Sequence, residues 1–176
     1  MSRHIEATVR IGNGADVTED VGAISLCPYK GCAFKCCDFQ QTAAILLYPG
    51  EIEAALAEGK SVAHLEILDP NYHGGMRAKC RALDTRSCDQ GYKPLDCASY
   101  PLFPVLLPET DDAALPSSLV VKDSICPIHS SEILDHGRFV VGAWNCLMNT
   151  NAAVKSWLKS IYPDNVRADE TDFIHL

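Results

Sequence analysis

The sequence predicts an α+β domain: short antiparallel strands, one short helix and a C-terminal helical pair around a Cys-rich, loop-heavy metal site. Three observations lead there. Residues 4–11 alternate apolar and polar side chains. Apolar residues after Ser130 recur at helical spacing. Eight of the nine cysteines fall between Cys27 and Cys126, four of them in CPYKGCAFKCC at 27–37.

The elements follow in order. Ile5, Ala7, Val9 and Ile11 share one face, and His4, Glu6, Thr8 and Arg10 the other. Period two means a half-buried strand. Gly12, Asn13 and Gly14 end it, and the polar ADVTED reads as a connection to GAISL and the first cysteine. Residues 43–48 read as a strand that delivers the chain to a helix over 49–58. There Pro49 fits the first turn, Glu51 and Glu53 sit at the positive end, and Gly59 fits the C′ position. Ile52, Ala55 and Leu56 would be its apolar stripe.

VAHLEIL at 62–68 and GGMRAKCRALD at 74–84 suggest an antiparallel pair, its connection starting at Asp69-Pro70-Asn71 and ending at Gly74-Gly75. TRSCDQGYKPLDCASYPLFPVLLPE reads as loop that needs a fastener. LVVKD reads as a strand leading to Cys126. Ser130 or Ser131 can cap a helix. Its stripe is Ile133, Val140, Val141, Trp144, Leu147 and Met148. A second helix over 151–161 carries Val154, Trp157, Leu158 and Ile161, with Pro163 as its stop. Residues 164–176 read as a flexible tail. The whole, 1–176, reads as one domain, with 27–128 as the cysteine region and 130–162 as the helical pair.

Composition narrows the function. A net charge of −8 and a pI near 5.1 argue against nonspecific nucleic-acid binding, which needs a cationic surface. The start, MSRHIEATVRIGNG, has no apolar h-region, and no apolar run is long enough to span a bilayer. A cytoplasmic location is therefore expected, with thiols kept reduced. An odd count of nine cysteines also fits a disulfide framework poorly.

Thiolates are soft donors that select zinc, Cu(I) or iron–sulfur clusters. Both a structural zinc and a cluster take four. The candidate ligands are Cys27, Cys32, Cys36, Cys37, Cys80, Cys88, Cys97 and Cys126. The choice between zinc and an iron–sulfur cluster, and between one site and two, stays open. Adjacent Cys36 and Cys37 would point opposite ways in extended chain. Lys30, Lys35, Lys79, Arg81 and Lys93 lie near these cysteines in sequence and can offset thiolate charge. Cys146, beside Trp144 and Leu147, reads as a buried apolar thiol. His129 suits a polar position before the helix, and His64 and His73 read as structural or exposed. No GxSxG elbow, P-loop or GxGxxG run is present.

The Cys27–Cys37 cluster, LYPGEIEA, the spaced cysteines and KPLDCASYPLFP together resemble the YkgJ-like CxxCxxCC cysteine-cluster family, over roughly 27–128. That family is described as zinc- or iron-chelating and includes flagellin lysine N-methylase. The resemblance implies the same eight cysteines as metal ligands. The expected function is metal binding through those cysteines, with the metal organising a surface for a protein or peptide partner. The alternative is a metalloenzyme using a cluster for redox chemistry, or for modification such as methylation of a protein or peptide.

Overall fold

The computed structural model describes residues 5–10, 16–21, 44–81, 92–105, 118–121, 130–165 and 173–175. The architecture is α+β, with antiparallel pairing among the described strands. Strand β1, Ile5–Arg10, pairs with β2, Asp16–Val21. The polar connection expected at ADVTED is thus a strand. Its register sets Val17 opposite Val9 and Val21 opposite Ile5.

Strand β3, Ile45–Leu47, leads into α1, Glu51–Ala57. The helix starts after Pro49, because Gly50 holds a left-handed φ of 84° that only a turn accommodates. Its far end closes as the sequence suggests. Gly59, at φ 70°, donates its N–H to Leu56 O, and Lys60 donates to Ala55 O. Those two bonds form a Schellman cap. The apolar stripe is shorter than expected: Ala55 is buried, Ile52 half-buried and Leu56 exposed.

Strands β4, Leu65–Tyr72, and β5, Gly75–Cys80, form the expected antiparallel pair, and the three-stranded order is β3-β5-β4. The connection is tighter than the Asp69–Gly75 stretch suggests. His73 at φ 54° and Gly74 at φ 93° are the two central residues of the turn, and Tyr72 opposes Gly75. Two left-handed residues fit the twist of a two-residue hairpin. Asp69, Pro70 and Asn71 instead lie within β4, where register shifts interrupt the ladder. The outer strand tolerates Pro70 because its missing N–H is not needed there.

The proline-rich stretch is also more regular than the expected loop. Helix α2 spans Leu95–Ser99, and β6 spans Leu102–Val105. Pro94 precedes the first helical residue, and Pro104 lies on a strand at the edge of the order β6-β7-β8. Strand β7 is Ser118–Val121, and β8, Phe173–His175, adds regular structure within the stretch expected to be a tail.

Helices α3, Ser130–Thr150, and α4, Ala152–Asn165, are the expected pair. Asn151 makes the break, its Oδ1 accepting the Ala153 N–H at 3.1 Å as an N-cap. Helix α4 runs two residues past Pro163. The proline ring already has a helical φ, and so near the end it sacrifices little of the ladder. Val140, Val141, Trp144, Met148, Val154, Trp157, Leu158 and Ile161 are buried and join Leu46, Leu95, Leu102 and Phe103 in one core. Trp144 and Trp157 stack at 6.3 Å, with Phe103 edge-on to both. Helix α3 lies against β1, β6, α2 and α4. No helix among the described residues is long and apolar enough to cross a membrane.

Candidate metal centre and the carboxylates beside it

Of the eight expected ligands, Cys80 and Cys97 are described, and both are half-buried. Cys27, Cys32, Cys36, Cys37, Cys88 and Cys126 lie outside the described residues, as does His129. Among the described residues, no three Cys, His, Asp or Glu side chains are grouped to hold a metal ion. Cys146 is half-buried rather than fully enclosed, on a turn of α3 where Thr150 Oγ1 donates to its carbonyl.

Cys80 is the last residue of β5, the central strand of its sheet. Because β3 is antiparallel to β5 and Ile45 pairs with Ala78, β3 begins at the end of the sheet where Cys80 lies. Cys97 is the middle residue of α2. That helix is fixed to β3 from the other side. Asp96 Oδ2 accepts the Leu46 N–H at 2.8 Å, closing a donor on the edge of β3 that β5 does not cover. The bond is buried and joins residues far apart in sequence.

A second carboxylate answers the first. Glu51 is 1% exposed. Its Oε1 accepts the Leu95 N–H at 2.9 Å and the Tyr92 hydroxyl, and its Oε2 accepts the Tyr48 N–H at 3.0 Å. A helix leaves its first N–H groups without internal partners. Here a carboxylate from α1 serves the first N–H of α2, while a carboxylate from α2 serves β3. Burial pushes the Glu51 carboxyl up to about 7, with Asp96 adding to the rise and the three donors opposing it. The sequence reading placed Glu51 only as an acid at a helix start. The structure makes it the hub between α1, α2 and the strand before them.

The C-terminal end of α2 is held by α3. Trp144 Nε1 donates to Ser99 Oγ at 2.8 Å, and Ser99 Oγ donates to Leu95 O. His136 Nε2 lies 2.9 Å from Ser99 O and 3.0 Å from Tyr100 O. Both partners are carbonyls, so this nitrogen carries the proton. Burial holds the His136 pKa below its usual value, against the pull of those carbonyls. Asn151 Nδ2 ties α4 to the turn before α1 by donating to Pro49 O at 3.1 Å.

Among the described residues, Asn145 and His64 carry buried polar atoms that stand apart from these bonds. Asn145, 2% exposed on α3, has no hydrogen-bond partner for Oδ1 or Nδ2 among the described residues. His64, beside the end of β5 where its carbonyl accepts the Arg81 N–H, has an unpartnered Nε2, and burial lowers its pKa.

No family model, curated protein or solved structure matches this chain.

Proposed function

We propose that this protein binds zinc or an iron–sulfur cluster through Cys27, Cys32, Cys36, Cys37, Cys80, Cys88, Cys97 and Cys126, and that it belongs with the YkgJ-like cysteine-cluster proteins it resembles. One observation carries the reading. Strand β3 is flanked by two thiol-bearing elements: β5, ending in Cys80, pairs with it, and α2, carrying Cys97, is bonded to it through Asp96. Cys36 and Cys37 precede the same strand in the sequence. Two described cysteine-bearing elements therefore attach to one three-residue strand, and in the sequence the Cys36-Cys37 pair leads towards it.

The donor set suits the group. Thiolates take soft ions and clusters, and two half-buried thiols on firmly anchored elements are a better start than thiols on free loops. The role is to fasten the cysteine-bearing segments to one another and to present a surface to a protein or peptide partner. Reduced thiols fit a cytoplasmic setting.

Metal and sulfide analysis of anaerobically purified protein, with its visible spectrum, tests the proposal. Stoichiometric zinc in a colourless protein, or iron and sulfide with a thiolate–iron band, is the expected result. Cys80→Ser and Cys97→Ser should each lower metal content, and Cys146→Ser should leave it unchanged. Metal-free protein, or equal loss from all three variants, overturns the reading.

A further inference from the structure

We infer that Glu51 and Asp96 are positioning residues of the thiolate site, holding the helix of Cys97 at a fixed offset from the sheet whose central strand ends in Cys80. This rests on the metal-binding reading above.

Helix α2 has five residues, too few to persist without outside support. Its anchors bracket Cys97 on both sides. Leu95 is held through its N–H by Glu51, and Asp96 holds Leu46. Beyond Cys97, Ser99 and Tyr100 are held by Trp144 and His136. The exchange is reciprocal: α1 gives a carboxylate to α2, and α2 gives one to β3. Sliding α2 along the sheet would break both bonds and leave buried N–H groups without acceptors. Such groups cost about 1–3 kcal/mol each, so the offset of Cys97 from the sheet is strongly fixed. A metal–thiolate bond tolerates little displacement, so fixing that offset before binding raises affinity.

The test loads the full chain with Co²⁺, whose thiolate charge-transfer absorption reports sulfur ligation, and then titrates with a chelator. Asp96→Ala should weaken Co²⁺ binding by about tenfold or more, the range for partners that orient ligands, and should change the band. Asp96→Asn keeps an acceptor for the Leu46 N–H and should recover most of the affinity. Val154→Ala, in the core, should lower the stability of the protein yet keep the wild-type band and affinity.

Asp96→Ala with wild-type affinity and spectrum overturns the inference, as does an equal loss in Val154→Ala. Should Asp96→Ala not fold, Glu51→Gln decides. It keeps the side-chain length but turns one acceptor into a donor facing the Tyr48 N–H, and it should weaken binding several-fold (an estimate at the low end of the range for ligand-orienting partners). No change there sinks the inference. Wild-type protein that takes up no Co²⁺ and, reconstituted anaerobically with iron and sulfide, forms no cluster sinks the metal-binding reading itself, a result distinct from variants that match a metal-binding wild type.

Discussion

The tryptophan core and the carboxylate junction hold this molecule together by opposite means. Around Trp144 and Trp157, stability comes from apolar area removed from water and from ring packing. Around Glu51 and Asp96, two acids are taken out of water, and that costs free energy unless every lone pair in use finds a donor. The first region tolerates small adjustments of shape. The second fixes which backbone group faces which, because a displaced donor has no substitute. A fold that must hold two elements at a fixed offset gains more from the second kind of contact, since apolar packing alone does not set a register.

The largest expected effect breaks the core. Trp157→Ala should destabilise the fold by about 3–5 kcal/mol, as read from denaturant midpoints. It also removes the indole N–H that donates to Tyr72 O at 3.2 Å, so the β4–β5 hairpin should loosen in hydrogen exchange. Glu51→Ala attacks the junction and orphans the N–H groups of Leu95 and Tyr48, which should cost roughly 2–4 kcal/mol in the same measurement. A loss under 0.5 kcal/mol (less than one neutral hydrogen bond) would show that the junction is decorative.

Next in size is Gly75→Ala, where the two regions meet. A Cβ there would lie 2.4 Å from Leu47 O and 2.6 Å from Trp157 Nε1. Crowding of this kind costs about 1–3 kcal/mol. The backbone atom cannot retreat without disturbing the β3–β5 ladder.

Titration separates the regions further. The Glu51 pKa is raised from 4.5 to about 7, so the folded state holds its proton more tightly than the unfolded chain. Its contribution to stability is whole below about 4.5 and is lost as pH rises toward 7. His136 works the other way. Its lowered pKa gives a contribution that is whole above 6.5 and declines as pH falls below that value. Glu51→Gln should therefore gain on the wild type as pH rises from 4.5 to 7, measured by urea midpoints across that range. A difference that stays flat with pH would mean that Glu51 titrates normally.

The smallest effect should be a gain. Asn145→Leu, close in volume, removes a buried amide with neither atom paired among the described residues. It should raise stability by about 1 kcal/mol, seen as a higher Tm.

The same contrast explains what could be read in advance. Helices α3 and α4 were legible because Val140, Trp144 and Met148, then Val154, Trp157 and Ile161, repeat at 3.6-residue spacing, and a local pattern suffices. The Schellman end of α1 was legible from Gly59 for the same reason. The junction was not. Glu51 looks like an ordinary acid in the first turn of a helix and Asp96 like an acid in a loop, and their decisive partners lie 44 and 50 residues away. Only the Tyr48–Glu51 bond, within three residues, left a local trace, in the acid that follows Pro49-Gly50. Strand β2 was missed because its sequence is polar, and its pairing with β1 comes from register rather than composition. His136 gave no signal at all, since its partners are backbone carbonyls rather than side chains.

The irregular outer strand β4 has a consequence beyond its own ladder. It carries Ile67 at 40% and Leu68 at 52% exposure on the margin of a sheet, a combination that invites another chain to add a strand. The register shifts bend that margin, Pro70 removes a donor from it, and Asp69 places a charge along it. An incoming strand could match only a few consecutive rungs before losing step. Straightening β4, for example with Pro70→Val, should leave the protein folded and raise its tendency to aggregate, visible as light scattering that grows with concentration.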